Sequence, residues 1–433
     1  MFNRHKTRTA ATVAAIVVTG ALALSGCSSE TGDTGDSAGG KVTLDFAFWG
    51  NDVRAALYEK AIVAFNKEYP NITVNSSFLG FPEFFEKRQI EATSGGLPDV
   101  MQFDYSYLRQ YSESNLLLDL GPYLGEEIDT EPLSEEILGI GVVQDKTYAI
   151  PTSTNAWGMY QNPKLLASVG VDAFDGGSWT DYKDYIDEVT AAGQAQGVEL
   201  YGGTDYTGRI QNLEIQLRAE GGSLFEEDGT PGFDENRLKE FWEEGVKVRE
   251  NAIPGQRLEE VLPLSGFDSA LTTSELTWDN FGAGYLGNLG ADYTELGLVA
   301  PPVTVDGAKD LYLKPSMLHT IAANTEHPKE AATLLNFLVN SPEVGAAFGT
   351  NRGLPASQTQ IEGVELAGLD AQIRDYEASI ADRLGDAPPA PIVGFGSIEE
   401  KFRVLGSDLG LGVVSVDDAV DQFFSELDVI LNS

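Results

Sequence analysis

The chain has 433 residues, with 28 Lys and Arg against 67 Asp and Glu and a formal charge of −39. At 42% hydrophobic and 10% aromatic, the composition is that of a globular protein with core enough for two or three domains, not of a disordered or fibrous chain. So acidic a balance leaves no basic surface to displace counterions from nucleic acid, and nothing to hold the body on anionic lipid by charge.

At the N-terminus, Arg4, Lys6 and Arg8 precede an apolar run from Ala10 to Leu24. At about 15 residues, that run is short for a membrane span and right for a signal peptide. It ends in Leu24-Ser25-Gly26-Cys27, and Cys27 is the sole cysteine. The stretch resembles a bacterial lipoprotein signal over residues 1–26, with Cys27 lipidated as the mature N-terminus; an ordinary secretory signal with a chance cysteine is the plainer alternative. Acyl chains contribute about 0.8 kcal/mol per buried CH₂, so two or three of them anchor stably on the extracytoplasmic face of the cell membrane. With one cysteine, no intrachain disulfide and no cysteine-based metal site can form. Residues 27–40 then read as a Gly/Ser-rich tether with nothing to bury.

From Lys41 the pattern alternates. Lys41–Trp49 reads as a strand and Asp52–Tyr69 as a helix carrying Val53, Leu57, Ala61, Ile62 and Phe65, with Asp52 as N-cap and Pro70 as a stop. Ile72–Phe78, Glu83–Ser94 and Asp99–Phe103 continue as strand, helix and strand. Helices are expected over Thr180–Ala192, Arg209–Ala219, Asn236–Asn251 and Pro328–Val339. Leu298–Pro302 and Lys314–Ala322 read as extended segments flanking a hairpin at Val305-Asp306-Gly307, and Ser397–Asn432 as helical with a break at Gly410-Leu411-Gly412. This predicts an α/β fold of mostly parallel sheets flanked by helices.

Several chemistries are missing. Beyond the leader the histidines are His319 and His327, and there is no HExxH, no Cys/His zinc spacing, no GxSxG elbow and no Walker A motif. Gly282–Gly287 matches GxGxxG formally but reads as a turn-rich loop rather than a dinucleotide site. No cofactor or metal is implied.

Separated segments look like the family 1 extracellular solute-binding proteins of carbohydrate ABC importers. Phe65-Asn66-Lys67-Glu68-Tyr69-Pro70-Asn71-Ile72 resembles that family's F-x-x-x-Y/H-P-x-I/V passage. Gly95-Gly96-Leu97-Pro98-Asp99-Val100 resembles its G-x-x-P-D-V motif. Tyr148-Ala149-Ile150-Pro151 with Met159–Leu166, Ile321–Thr325 with Ser341-Pro342-Glu343, and Asn351–Ala356 are similar to later family segments, in the same order. The sequence departs at Gln161, where a second Tyr is common, and at Lys314-Pro315-Ser316, where a Gly-Gly pair is common. The resemblance implies a two-lobe, Venus-flytrap architecture with hinge crossovers: residues 41–152 with 303–357 in one lobe, 153–302 with 358–433 in the other. It further implies a monomeric binder, not an enzyme, that delivers a neutral mono- or oligosaccharide to a permease with a cytoplasmic ATPase. A binding protein for another solute and a cell-surface glycoside hydrolase are the alternatives.

In α/β lobes ligands sit at the carboxyl ends of the parallel strands. That rule selects Trp49, Asn51 and Asp52 after the first strand, Phe81 near the second, and Asp104 and Tyr105 after the third. From the other lobe, Trp157, Trp278, Asp279 and Asn280 are the candidates, because a Trp face suits the C–H face of a pyranose while amides and carboxylates read its hydroxyls. Met317 is added for main-chain contact, and Tyr206 and Arg209 as further lining. Trp179 and Trp242 read as core. Few Lys or Arg lie near these loops, which is why a neutral sugar is expected.

Overall fold

The computed structural model describes residues 40–431 except 51, 227 and 389. The signal peptide, Cys27 and almost all of the tether lie outside the described residues, as does Asn51. Residues Lys41–Ser433 form one compact unit. No helix among the described residues is long and apolar enough to cross a membrane.

The first third forms β1 (Val42–Trp49), β2 (Ile72–Leu79) and β3 (Val100–Phe103), with helices Asp52–Glu68 and Phe81–Ser94 between them. The Asp52–Glu68 helix buries Tyr58, Ala61, Ile62 and Phe65, the i, i+3, i+4, i+7 stripe of an amphipathic helix. β1 pairs in parallel with β2 from Val42↔Ile72 to Trp49↔Leu79, and with β3 at Phe46↔Val100. Strand alternation sends Phe46 and Phe48 into the core under the first helix, and Ala47 and Trp49 into a second core under the Phe81–Ser94 helix.

A long strand, β4 (Ala149–Gln161), then runs on from this lobe. All 13 of its residues are buried. Its first part pairs antiparallel with β7 (Leu313–Ile321), and its last part with β5 (Ser274–Trp278) and β6 (Gly297–Val299). The sheet order is β8 (Leu354–Pro355), β4, β7, β3, β1, β2. Parallel pairing is thus confined to β2–β1–β3; β4 and β7 carry the chain between two lobes and make the other ladders antiparallel. The two extended segments around Gly307 do not form a hairpin with each other. A turn is present, with Ala308 N–H donating 3.2 Å to the Val305 carbonyl, but β6 and β7 each pair with a different stretch of β4.

A third and larger core belongs to the second lobe. It is built around Trp242, fully buried, whose ring centre lies 5.2 Å from that of Phe402, itself 5.6 Å from Phe423. The helices that supply it include Trp179–Gln196, Glu235–Val248, Phe395–Leu411 and Val416–Leu431. Ser178 opens the first of these with a capping box to Asp181. Trp179 is buried with its indole N–H 3.0 Å from Thr304 Oγ1. Val303 N–H donates to the Gly177 carbonyl and Leu311 enters this core, so both residues pack with the second lobe. The Gly282–Gly287 stretch, expected as a loop, is the helix Gly282–Leu289. Gly282 is required there because a Cβ would fall 2.5 Å from the Tyr160 hydroxyl.

Candidate functional site

The carboxyl ends of β1 and β3, the loop before β8 and the start of the Phe395–Leu411 helix converge on a cavity between the lobes. Its open compartment has about 600 Å³ of space, within the usual range of small-molecule sites. Arg54, Asp104, Ser106, Met317 and Arg352 face it from the first lobe, Asn280 and Glu399 from the second. A smaller compartment of about 100 Å³ adjoins it, walled by Trp278, Tyr312, Phe225 and Phe395. Tyr105, Lys314, Pro391, Phe395 and Glu399 border both.

A proline-rich strap, residues 385–388 and 390–393, closes one side of this cavity. It leaves the second lobe and is gripped by the first: the Tyr105 hydroxyl donates 2.9 Å to the Pro388 carbonyl, and Arg109 Nε and Nη2 donate 3.1 and 3.0 Å to the Ala390 carbonyl. Ala390 is buried in the first lobe's core while Ile392 is buried in the second's. The strap therefore spans the lobes independently of β4 and β7.

Of the residues picked out from the sequence, the cavity collects Asp104, Tyr105, Trp278, Asn280 and Met317. Asp104 also caps the Tyr105–Glu113 helix, accepting from Ser106 N–H at 3.0 Å. Trp278 is half-buried at the end of β5, its ring edge-on to Trp157 at 5.2 Å. Others stand apart from the lining. Trp49 is buried among Phe81, Phe84 and Phe85. Trp157 is buried with its indole N–H 2.8 Å from Asn212 Oδ1. Asp279 follows Trp278 and points the opposite way, into the protein, where Oδ2 accepts from Ala156 N–H at 2.9 Å. Asp52 and Phe81 are exposed at the starts of their helices. Tyr206 is buried against Glu244, and Arg209 pairs with Glu275 at 3.5 Å beside Gln211 and Glu399; neither is in the lining of this cavity.

Pattern reading had missed the residues contributed by distant segments. Tyr312 donates 2.8 Å to Glu214 Oε2 on the wall of the smaller compartment. Burial pushes the Glu214 carboxyl up, against the pull of Tyr312, Arg218 and Lys314. Arg218 covers the Tyr312 ring at 5.0 Å and donates to the Asp310 and Asp386 carbonyls. The cavity also corrects the expectation of few cations: Arg54, Lys314 and Arg352 all line its open compartment. That removes the sequence-based argument for a neutral ligand. Among the described residues no group of three or more His, Cys, Asp or Glu is placed to hold a metal ion.

A family model described as bacterial extracellular solute-binding protein matches residues 50–344. The chain is similar to an arabinooligosaccharide-binding protein of Bacillus subtilis, 25% identical over 167 residues, 37% of each chain. Among solved structures it is similar to a family 1 extracellular solute-binding protein from Alicyclobacillus acidocaldarius, with 26% identity, a TM-score of 0.76, and 92% of this chain and 100% of that one covered. It is also similar to a periplasmic oligogalacturonide-binding protein from Yersinia enterocolitica, at 21% identity and a TM-score of 0.76, covering 90% and 99%. These likenesses establish the two-lobe α/β fold.

Proposed function

This chain belongs to the bacterial extracellular solute-binding proteins, and we propose that it captures a sugar or oligosaccharide between its lobes and delivers it to an ABC permease driven by a cytoplasmic ATPase. The family and fold are those of proteins that bind a substrate, not of enzymes. The observation that carries the saccharide reading is the half-buried Trp278 in a cavity that also presents Asn280, Asp104 and Ser106, an aromatic face beside hydrogen-bonding groups. The sugars named for the Bacillus and Yersinia relatives support the same class.

In this account Cys27 is lipidated, residues 27–40 tether the body to the extracytoplasmic face of the membrane, and the protein acts as a monomer. The resemblance puts residues 41–152 with 303–357 in one lobe and 153–302 with 358–433 in the other. The packing of Val303, Thr304 and Leu311 on the second core supports placing that crossing nearer Leu313. Ligand binding then biases the hinge toward a closed form, the form a permease would select.

The test is a titration of intrinsic tryptophan fluorescence in the purified protein with mono- and oligosaccharides, followed by chromatography of the recovered sugar. A saturable change with unaltered sugar supports the reading. Cleaved product, or saturation only by a non-saccharide solute, contradicts it.

A further inference from the structure

In a chain where acids outnumber bases 67 to 28, three basic side chains line one cavity. Arg352 is the most firmly held. It is 5% exposed, its guanidinium lies 3.9 Å from the centre of the Phe348 ring, and Nη1 donates 3.3 Å to the Tyr58 hydroxyl. That hydroxyl in turn donates 2.6 Å to Gln102 Oε1. The Arg352 main-chain carbonyl accepts from the hydroxyls of Ser153 and Ser316, fixing the loop on β4 and β7. Gly353 follows at φ +99°, where a Cβ would fall 3.0 Å from the Thr154 carbonyl, so the turn that aims Arg352 is itself constrained.

Among the described residues no carboxylate forms an ion pair with Arg352 or with Lys314, although most of the chain's other arginines have one. Lys314 instead lies 4.9 Å from the centre of the Trp278 ring. Neighbouring groups register the unneutralised charge: Arg54 and His319 are pushed down first by burial and then by Arg352. The acids at the cavity have local partners: Asp104 caps its helix, Glu399 accepts 2.6 Å from Gln211 Nε2, and Glu214, on which Arg218 and Lys314 also pull, accepts 2.8 Å from the Tyr312 hydroxyl. A nearly buried guanidinium without an anion is an unfavourable arrangement, and its planar fork matches a carboxylate or phosphate in two parallel hydrogen bonds.

We propose that the cavity selects a saccharide carrying an anionic group, with Arg352, assisted by Arg54 and Lys314, meeting that group while the sugar ring packs beside Trp278. This rests on the saccharide reading above and narrows it to acidic sugars. A uronate carboxylate and a sugar phosphate share the required chemistry.

The test is calorimetry on the purified protein with matched probes: digalacturonic acid against galactobiose, glucuronosyl-glucose against its neutral glucose disaccharide, and a hexose phosphate against the hexose. The expected result is that the acidic member of at least one pair binds tenfold or more tighter and weakens between 50 and 500 mM salt. R352Q and K314Q should each shrink that ratio; Lys314 is only partly buried, so K314Q keeps the test valid if R352Q fails to fold. Preference for the hexose phosphate over the uronates keeps the anionic site and assigns it to phosphate. Equal or tighter binding of the neutral members overturns the proposal and leaves saccharide capture standing. An acid preference unchanged in both variants also overturns it. Binding of no saccharide at all defeats both readings together.

Discussion

Lys314 Nζ lies 4.9 Å from the centre of the Trp278 ring, a cation covering an aromatic face that borders the cavity. Lys314 belongs to the strand that runs between the lobes and Trp278 to the end of a strand in the second lobe, so a ligand ring reaching Trp278 meets Lys314 as well. Trp278→Ala is expected to weaken saccharide binding at least tenfold, about 1.4 kcal/mol, and Trp278→Phe less. Fluorescence or calorimetric titration checks both. Equal affinity in Trp278→Ala would remove Trp278 from the site.

The strap predicts a second effect. Arg109 forks onto the Ala390 carbonyl from the opposite lobe, and hydrogen bonds from a charged donor contribute about 1.5–3 kcal/mol. Arg109→Ala should lower thermal stability by roughly that amount and speed ligand dissociation, because the strap closes one side of the cavity. Stopped-flow release of bound sugar reads the rate; an unchanged dissociation rate would confine the strap to a structural role.

A third prediction concerns pH. Asp279 and Glu377 are buried together; burial raises both carboxyls, and the negative charge of Asp279 raises Glu377 further. Their remaining oxygens, Asp279 Oδ1 and Glu377 Oε1, have no other partner, as expected if a protonated Glu377 donates to Asp279. Burial also raises Glu214, Glu244 and Glu275. A carboxyl raised in the folded state holds a proton that the unfolded chain has released, so stability falls as pH climbs from the ordinary carboxylate range through the folded values. His319 acts oppositely: burial and Arg352 press it to about 3, so stability falls as pH drops below its ordinary value of 6.5. Melting temperature should therefore peak in mildly acid buffer and decline toward pH 8.5. Glu377→Gln keeps a neutral donor for Asp279 and should flatten the alkaline side; an identical decline in Glu377→Gln would show that the pair does not cause it.

Much of the first lobe was legible, because β2 and the Asp52–Glu68 helix expose one face each and so carry a period, and β1 alternates at its start before both its faces are buried. β4 was not: buried throughout, with Pro151, Gly158 and the polar run Thr152–Asn155 inside it, it has no alternation to detect. The site divides in the same way. Asp104 follows from the rule that ligands meet strand ends, and Trp278 from the fit of an indole face to a sugar ring. Trp157 and Asp279 carry the right chemistry, but β4 and the turn after β5 direct them inward. Arg352, Lys314 and Phe395 reach the cavity only through chain crossings, which no local pattern encodes. The Gly282–Leu289 helix was hidden because its three glycines mimic a loop.

The most direct measurement is thermal melting of the wild-type protein and Trp278→Ala with saturating saccharides. A ligand bound only by the folded state raises stability by about 2.7 kcal/mol at 100 times its Kd. The account predicts a concentration-dependent rise with one saccharide class in the wild type, much reduced in Trp278→Ala. A rise produced by a non-saccharide solute, with none from any sugar, would contradict it.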